Sequence, residues 1–189
     1  MKPILDDLTL IDKILLGDQV AVRILIDRHK NYAYTIAFRI LGIAEEAEEA
    51  AQDAFIKAIR SLNTFQRNGK FTTWFYRIVF NTAVSRKRKK TAETVEINDS
   101  NEFLAGNTEN ENSLIRDEKA RYLNLAIHRL KEEDKTIITL YYLKELTMDE
   151  VSEITSIPVN TLKVKLFRSR KRLAVILKDL LKEEVNLML

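Results

Sequence analysis

Between Ala47 and Leu62 the apolar residues are Ala47, Ala50, Ala51, Ala54, Phe55, Ala58, Ile59 and Leu62, at steps that alternate three and one. That spacing is the signature of an α-helix with one apolar face; a strand would place its apolar residues at every second position. Residues 44–62 are therefore committed to a helix, and because alanine dominates the apolar face, a neighbouring helix can approach closely. The same repeat recurs in the first half of the chain. Residues 9–28 carry Leu10, Ile14, Leu15, Val22, Leu25 and Ile26, with a break signalled by Gly17-Asp18. Residues 30–41 carry Tyr32, Ile36 and Ile40 and stop at Gly42. Residues 72–89, led by Phe71, carry Trp74, Phe75, Ile78, Val79, Thr82 and Ala83. Composition agrees with an all-α chain. Its 189 residues include four glycines and two prolines, too few for the turns of an all-β fold. With no cysteine there can be neither a disulfide framework nor a thiolate metal site.

The net charge of +3 hides a segregation. Residues 1–90 hold 16 basic and 10 acidic side chains, +6; residues 91–118 hold one basic and 8 acidic, −7; residues 119–189 hold 14 basic and 10 acidic, +4. The acidic stretch, rich in Asn, Glu, Ser and Thr, lacks clear helical spacing and reads as a linker. Two small helical domains are expected, residues 1–92 and 117–189, joined by an acidic linker at 93–116. The N-terminal run is interrupted by Asp6, Asp7 and Asp12, and no segment approaches 18 apolar residues without charge. Neither a secretory signal nor a membrane span is expected, and the chain reads as cytoplasmic.

The polar sides of two helices attract functional readings. Glu45, Glu46, Glu48, Glu49 and Asp53 place five acids within nine residues, with no base among them. Their position near a helix N-terminus is explained by the macrodipole. Two of them, Glu49 and Asp53, also form with Gln52 and Ile56 a surface suited to docking a protein. On the following helix, Arg77, Asn81, Ser85 and Arg88 make a polar strip that runs into Arg86-Lys87-Arg88-Lys89-Lys90. Arg and Asn can reach base edges, while Ser and Lys suit phosphates. The loop between these helices, Asn63 to Lys70, offers Phe65 for stacking on an unpaired base.

The second half holds a helix-turn-helix pattern. Ala120, Leu123, Ile127 and Leu130 form one stripe, and Asp134 can cap a helix carrying Ile137, Ile138, Leu140, Tyr141 and Leu143. Thr147-Met148-Asp149-Glu150 is a capping box ahead of a short helix with Val151 and Ile154. Thr155-Ser156-Ile157-Pro158 makes a turn, and a longer helix then turns Leu162, Leu166, Leu173, Ile176 and Leu180 inward. Its other face offers Asn160, Thr161, Lys163, Lys165, Arg168, Arg170, Lys171 and Arg172, with six cations and no acid over 160–172. A short capped helix, a turn and an acid-free basic helix together favour DNA binding.

On these residues the chain resembles a known family. AEEAEEAAQDAFIKAIRSLNTF followed by GKFTTWFYRIVFNTAVSRKRK is similar to sigma region 2. LAIHRLKEEDKTIITLYYLKELTMDEVSEITSIPVNTLKVKLFRSRKRL is similar to sigma region 4. Their order and the acidic linker resemble the extracytoplasmic-function (ECF) sigma factors of bacterial RNA polymerase, within the sigma-70 family. The resemblance covers about Leu16 to Leu177. It implies that Glu49, Gln52, Asp53, Phe55 and Ile56 bind the clamp helices of the polymerase largest subunit. It implies a second polymerase contact at the flap. It implies that Asn63, Phe65, Lys70, Trp74, Arg77, Asn81, Ser85, Arg86 and Arg88 read and melt a −10 element. A −35 element would be read in the major groove by Lys163 and Arg168, with Asn160, Thr161, Lys165, Arg170 and Lys171 around them. An anti-sigma factor is an implied partner. The chain departs from the family pattern at Ser156 and Asn160, where glycine is common, at Lys131, where proline is frequent, and at Lys163, where arginine is common.

Two other classes compete. A stand-alone helix-turn-helix regulator that binds duplex DNA as a dimer would explain residues 119–189 but leaves the acidic helix and aromatic loop without a task. An enzyme is disfavoured: the sequence has no P-loop, no H-E-x-x-H and no G-x-S-x-G. His29 and His128 lie on expected helices without metal-ligand spacing and read as surface or boundary residues. No cofactor and no metal are expected.

Overall fold

A computed structural model describes residues 5–93, 111–143 and 145–187. Among these the chain is helical, without a strand. Eight α-helices follow one another: α1 Asp7–Leu15, α2 Gln19–Leu41, α3 Ala44–Arg60, α4 Phe71–Glu93, α5 Glu111–His128, α6 Glu132–Ile138, α7 Met148–Thr155 and α8 Val159–Leu187. Two compact units result; α1–α4 lie in the first and α5, α6 and α8 in the second.

Within the first unit, each boundary has a local cause. Asp6 caps α1 by accepting from the Thr9 N–H at 2.7 Å. Gly17, at φ +92°, lets the chain turn, and Asp18 caps α2 through the Val20 and Ala21 amides. Gly42, at φ +78°, closes α2 in the left-handed conformation that glycine adopts without steric cost. The pause expected between residues 28 and 30 does not occur, and α2 runs through it. His29 therefore falls on the same face as Leu25, Ala33 and Ile36 and is buried with them. The surface or boundary reading of His29 is corrected by that continuity. Its ring meets Phe71 and Phe75 edge-on, and its Nε2 lies 3.0 Å from Asp7 Oδ2.

The alanine face of α3 does what small side chains allow. Ala47, Ala50, Ala51, Ala54 and Ala58 are buried, and α3 packs closely on both α2 and α4. The gap this leaves is filled by Phe55, Phe71, Phe75, Tyr76 and Val79. Phe71 and Phe75 stack at 5.7 Å, and Phe55 meets Phe75 at 4.6 Å.

In the second unit, α6 and α5 pack on α8. Ile127, Leu130, Ile137, Ile138, Leu140, Leu162, Leu166 and Leu180 are buried, while Leu173 and Ile176 are half-buried and Ala120 is exposed. α5 begins at Glu111, not Asp117. The expected cap at Asp134 is also corrected. Lys131 occupies that position without a side-chain bond, and Asp134 sits inside the first turn of α6, buried. Its carboxylate accepts from Ser169 and Arg172 of α8, so the acid serves tertiary packing in place of the helix end.

The capping box at α7 forms as expected. Glu150 N–H donates to Thr147 Oγ1 at 3.3 Å, and Thr147 N–H donates to Glu150 Oε2 at 2.8 Å. The turn that follows places Ser156 at φ +59°. Ser152 Oγ reaches across it to donate to the Ile157 carbonyl at 2.7 Å.

Candidate nucleic-acid interface and docking face

α3 and α4 pack side by side, so the acidic face of one borders the basic face of the other. On α3, Glu49, Gln52 and Ile56 are exposed and Asp53 is half-buried, at steps of three, one and three that keep them on one side. Phe55, expected among the docking residues, is buried against Phe75. It can shape that face only from beneath.

On α4, Arg77, Asn81, Ser85 and Arg88 are all exposed along one strip, while Phe75, Val79, Thr82 and Ala83 are buried. The helix thus presents hydrogen-bonding groups to solvent while its other side is fixed by packing. Such an arrangement suits a surface that tracks nucleic acid. Trp74 is half-buried, its ring 5.5 Å from Phe65 and 5.8 Å from Phe71. Phe65 does not project from its loop. It is 8% exposed and stands edge-on to Phe71 at 5.8 Å. Clustering with Trp74 and Phe71 removes from water the ring surface that a projecting Phe65 would leave exposed. The loop's exposed groups are Asn63, Thr64 and Gln66 to Lys70, with Arg67 paired to Asp12 of α1.

Arg86 behaves differently from its strip. Its guanidinium crosses to α3 and donates to Glu49 Oε2 at 2.6 Å, Asp53 Oδ2 at 3.2 Å and the Glu46 carbonyl at 3.3 Å. Lys90 pairs with Glu46 one turn further on, and Lys57 Nζ donates to Thr82 Oγ1 at 3.1 Å. Two residues expected to dock protein and one expected to bind DNA thus share one ion-pair cluster. Sequence signals existed, since α3 is acidic and α4 ends basic, but the pairing depends on the register of two packed helices.

The outer face of α8 presents Asn160, Thr161, Lys163, Arg168, Arg170 and Lys171, all exposed. Lys165 is drawn aside, its Nζ 2.6 Å from Glu133 of α6. Lys171 lies over the Phe167 ring at 4.6 Å, and Arg170 lies 6.0 Å from the centre of the Tyr142 ring. Val164 and Phe167, 49% and 57% exposed, stand between the cations. Sequence reasoning misses both, although they fall off the Leu162–Leu166 stripe.

Away from these faces, Asp7 is held by Arg28 at 2.6 Å and by His29. Burial opposes its ionisation, but the hydrogen bonds and charges of His29 and Arg28 outweigh burial and hold the carboxyl below its ordinary range. Among the described residues no group of three or more His, Asp or Glu side chains is placed to hold a metal ion, and no helix is long and apolar enough to cross a membrane.

Comparison with known proteins follows the same division. Residues 25–93 match the family model for sigma-70 region 2, and residues 120–173 match the model for sigma-70 region 4. The chain is 35% identical over 173 residues to the ECF RNA polymerase sigma factor SigW of Bacillus subtilis, covering 87% of this chain and 92% of that one. It is 31% identical to the RNA polymerase sigma-H factor of Pseudomonas aeruginosa, covering 94% and 96%. Among solved structures, the sigma factor RpoE of Bartonella quintana, crystallised with the anti-sigma factor NepR, shares the fold with a TM-score of 0.67. The match has 20% identity and covers 81% of this chain and 94% of that one. CnrH, in complex with the cytosolic domain of CnrY, matches with a TM-score of 0.60 at 22% identity, covering 90% and 96%.

Proposed function

The chain belongs to the ECF branch of the sigma-70 family, and from that premise we propose how its surfaces divide the work of promoter recognition. As a sigma factor it binds RNA polymerase core and directs initiation at specific promoters. The observation that carries this is the presence of both sigma regions, in family order, on one chain. A stand-alone regulator would need only the second of them.

The acidic face of α3, at Glu49, Gln52, Asp53 and Ile56, docks on the clamp helices of the largest subunit, with Phe55 supporting it from the core. A second contact, from the region 4 unit, is made with the flap. The exposed strip of α4, with Asn63 and Lys70 of the preceding loop, engages the −10 element. Phosphate contacts supply salt-dependent affinity, and base contacts from Arg77 and Asn81 supply selection. Phe65 and Trp74 support that loop from within. Capture of unstacked bases helps melt the duplex, with no nucleotide hydrolysis and no catalytic group of the chain's own. Lys163 and Arg168 of α8 read the −35 element, with Asn160, Thr161, Arg170 and Lys171 beside them and Lys165 restrained by Glu133. The two functional domains, expected from the sequence at residues 1–92 and 117–189, are tethered by the acidic stretch between α4 and α5. The protein works in the cytoplasm, where polymerase and promoter are found, and an anti-sigma factor restrains it by covering its DNA-binding faces.

In vitro transcription with core polymerase over a randomised promoter library tests this reading. Enriched templates should carry two conserved elements separated by a fixed spacer. Binding to a palindrome without core, and no transcription with it, would return the protein to the class of dimeric regulators.

A further inference from the structure

We propose that Arg86 couples polymerase docking to promoter engagement, acting as a positioning residue that is passed from the acids of α3 to a promoter phosphate. The inference rests on the docking role assigned to Glu49 and Asp53. In the free protein the Arg86 guanidinium occupies both of these carboxylates from the neighbouring helix. A polymerase surface that binds the same acids has to displace it. The displacement is cheap: Glu49 is 66% exposed and Asp53 49%, and pairs this open to water contribute little. Arg86 is itself only 29% exposed, so in the free protein its charge is turned from the outer strip of α4.

Once displaced, Arg86 is no longer held against α3, and it sits about 100° around α4 from Ser85 of the exposed strip that tracks DNA. Its long side chain can then reach a phosphate. Docking therefore adds a cation to the DNA face, and DNA binding removes a competitor from the docking face. Thermodynamic linkage makes the two effects equal in size. Isolated, the protein keeps both faces partly satisfied by each other, a weak brake on binding DNA away from polymerase.

The test measures core affinity of the full-length chain with and without a forked promoter DNA, for wild type, Arg86→Ala, Arg86→Lys and Arg23→Ala. Arg86→Ala should bind core about two- to fivefold more tightly without DNA, the release of one exposed pair. The ratio of core affinities with and without DNA should shrink by a similar factor. Arg86→Lys, which keeps a charge able to meet one acid or one phosphate, should restore part of that ratio. Arg23→Ala removes the same charge from an exposed site on α2 and should change neither quantity. The coupling is overturned if Arg86→Ala leaves both quantities unchanged, if it weakens core binding, as a plain structural staple would, or if Arg23→Ala reproduces it. Glu49→Gln with Asp53→Asn separates the two ideas. Unchanged core affinity in that pair rejects the docking face itself, whereas weakened affinity alongside a silent Arg86→Ala rejects only the coupling.

Discussion

Ser156 holds φ +59° at the end of α7, a conformation that crowds any side chain bearing a Cβ. The backbone there is needed, since the Ser156 N–H donates to the Ser152 carbonyl at 2.8 Å and ends the helix before Pro158. Ser156→Gly should relieve the crowding and, after the extra freedom glycine gains in the unfolded chain, raise stability by about 0.5–1 kcal/mol. Thermal unfolding should show a higher midpoint, and an unchanged or lower one would mean that the serine is not strained. Asp7 gives a second residue-scale expectation. Its carboxyl is depressed in the folded protein, so the stability it contributes is complete above the unfolded carboxylate pKa and is lost as pH falls through the lower folded value. Asp7→Asn should cost about 1.5–3 kcal/mol at neutral pH, the range for hydrogen bonds to charged groups. The gap to wild type should narrow below about pH 4. A constant gap between the two proteins from about pH 7 to pH 3 would show that the Asp7 carboxyl is not depressed in the fold.

At the scale of elements, α3 carries two faces with opposite demands. Its alanines set how closely α2 and α4 approach, and its acids face outward beside the basic end of α4. Reversing charge at Glu49 and Asp53 together to Lys should weaken core association at least tenfold while leaving helix content unchanged, because neither side chain is in the core. Titration against core polymerase, with circular dichroism as the control, measures both, and unaltered affinity would remove this face as a docking surface. The steps of three and one make α3 and most of α4 legible from spacing alone, as the capping box does for α7. What the sequence could not convey were relations between elements. Phe65 reads as a loop aromatic until Phe71 and Trp74 are seen beside it. Arg86 reads as one of five cations until the register of α3 against α4 sets it on Glu49. Asp134 reads as a cap until α8 brings Ser169 and Arg172 to its carboxylate. His29 shows the limit at closest range. A polar residue on an apolar face is legible as buried only when its partner, here Asp7 on another helix, is known.

For the whole molecule, the proposed function gives separate work to the separate units, so their failures should also separate. On that reading the cations of α4 and of α8 both add salt-dependent affinity, but only base contacts make one promoter differ from another. Lys163 and Arg168 stand exposed on α8 without the ion pair that holds Lys165, free to approach a groove. Good base contacts are each worth about 1–3 kcal/mol of discrimination. Replacing both residues by Ala should therefore lower transcription from a promoter that depends on its −35 element by at least about thirtyfold. A preformed bubble template bearing only the −10 element should be transcribed at the wild-type rate, because α4 and the proposed docking face of α3 are untouched. Loss on both templates would point to a damaged fold or a lost polymerase contact, which the melting temperature and core affinity of the double variant would distinguish. Equal activity of the double variant and wild type across a series of −35 sequences would remove these two side chains as readers, leaving Asn160, Thr161 and the exposed Val164 and Phe167 to carry the selection.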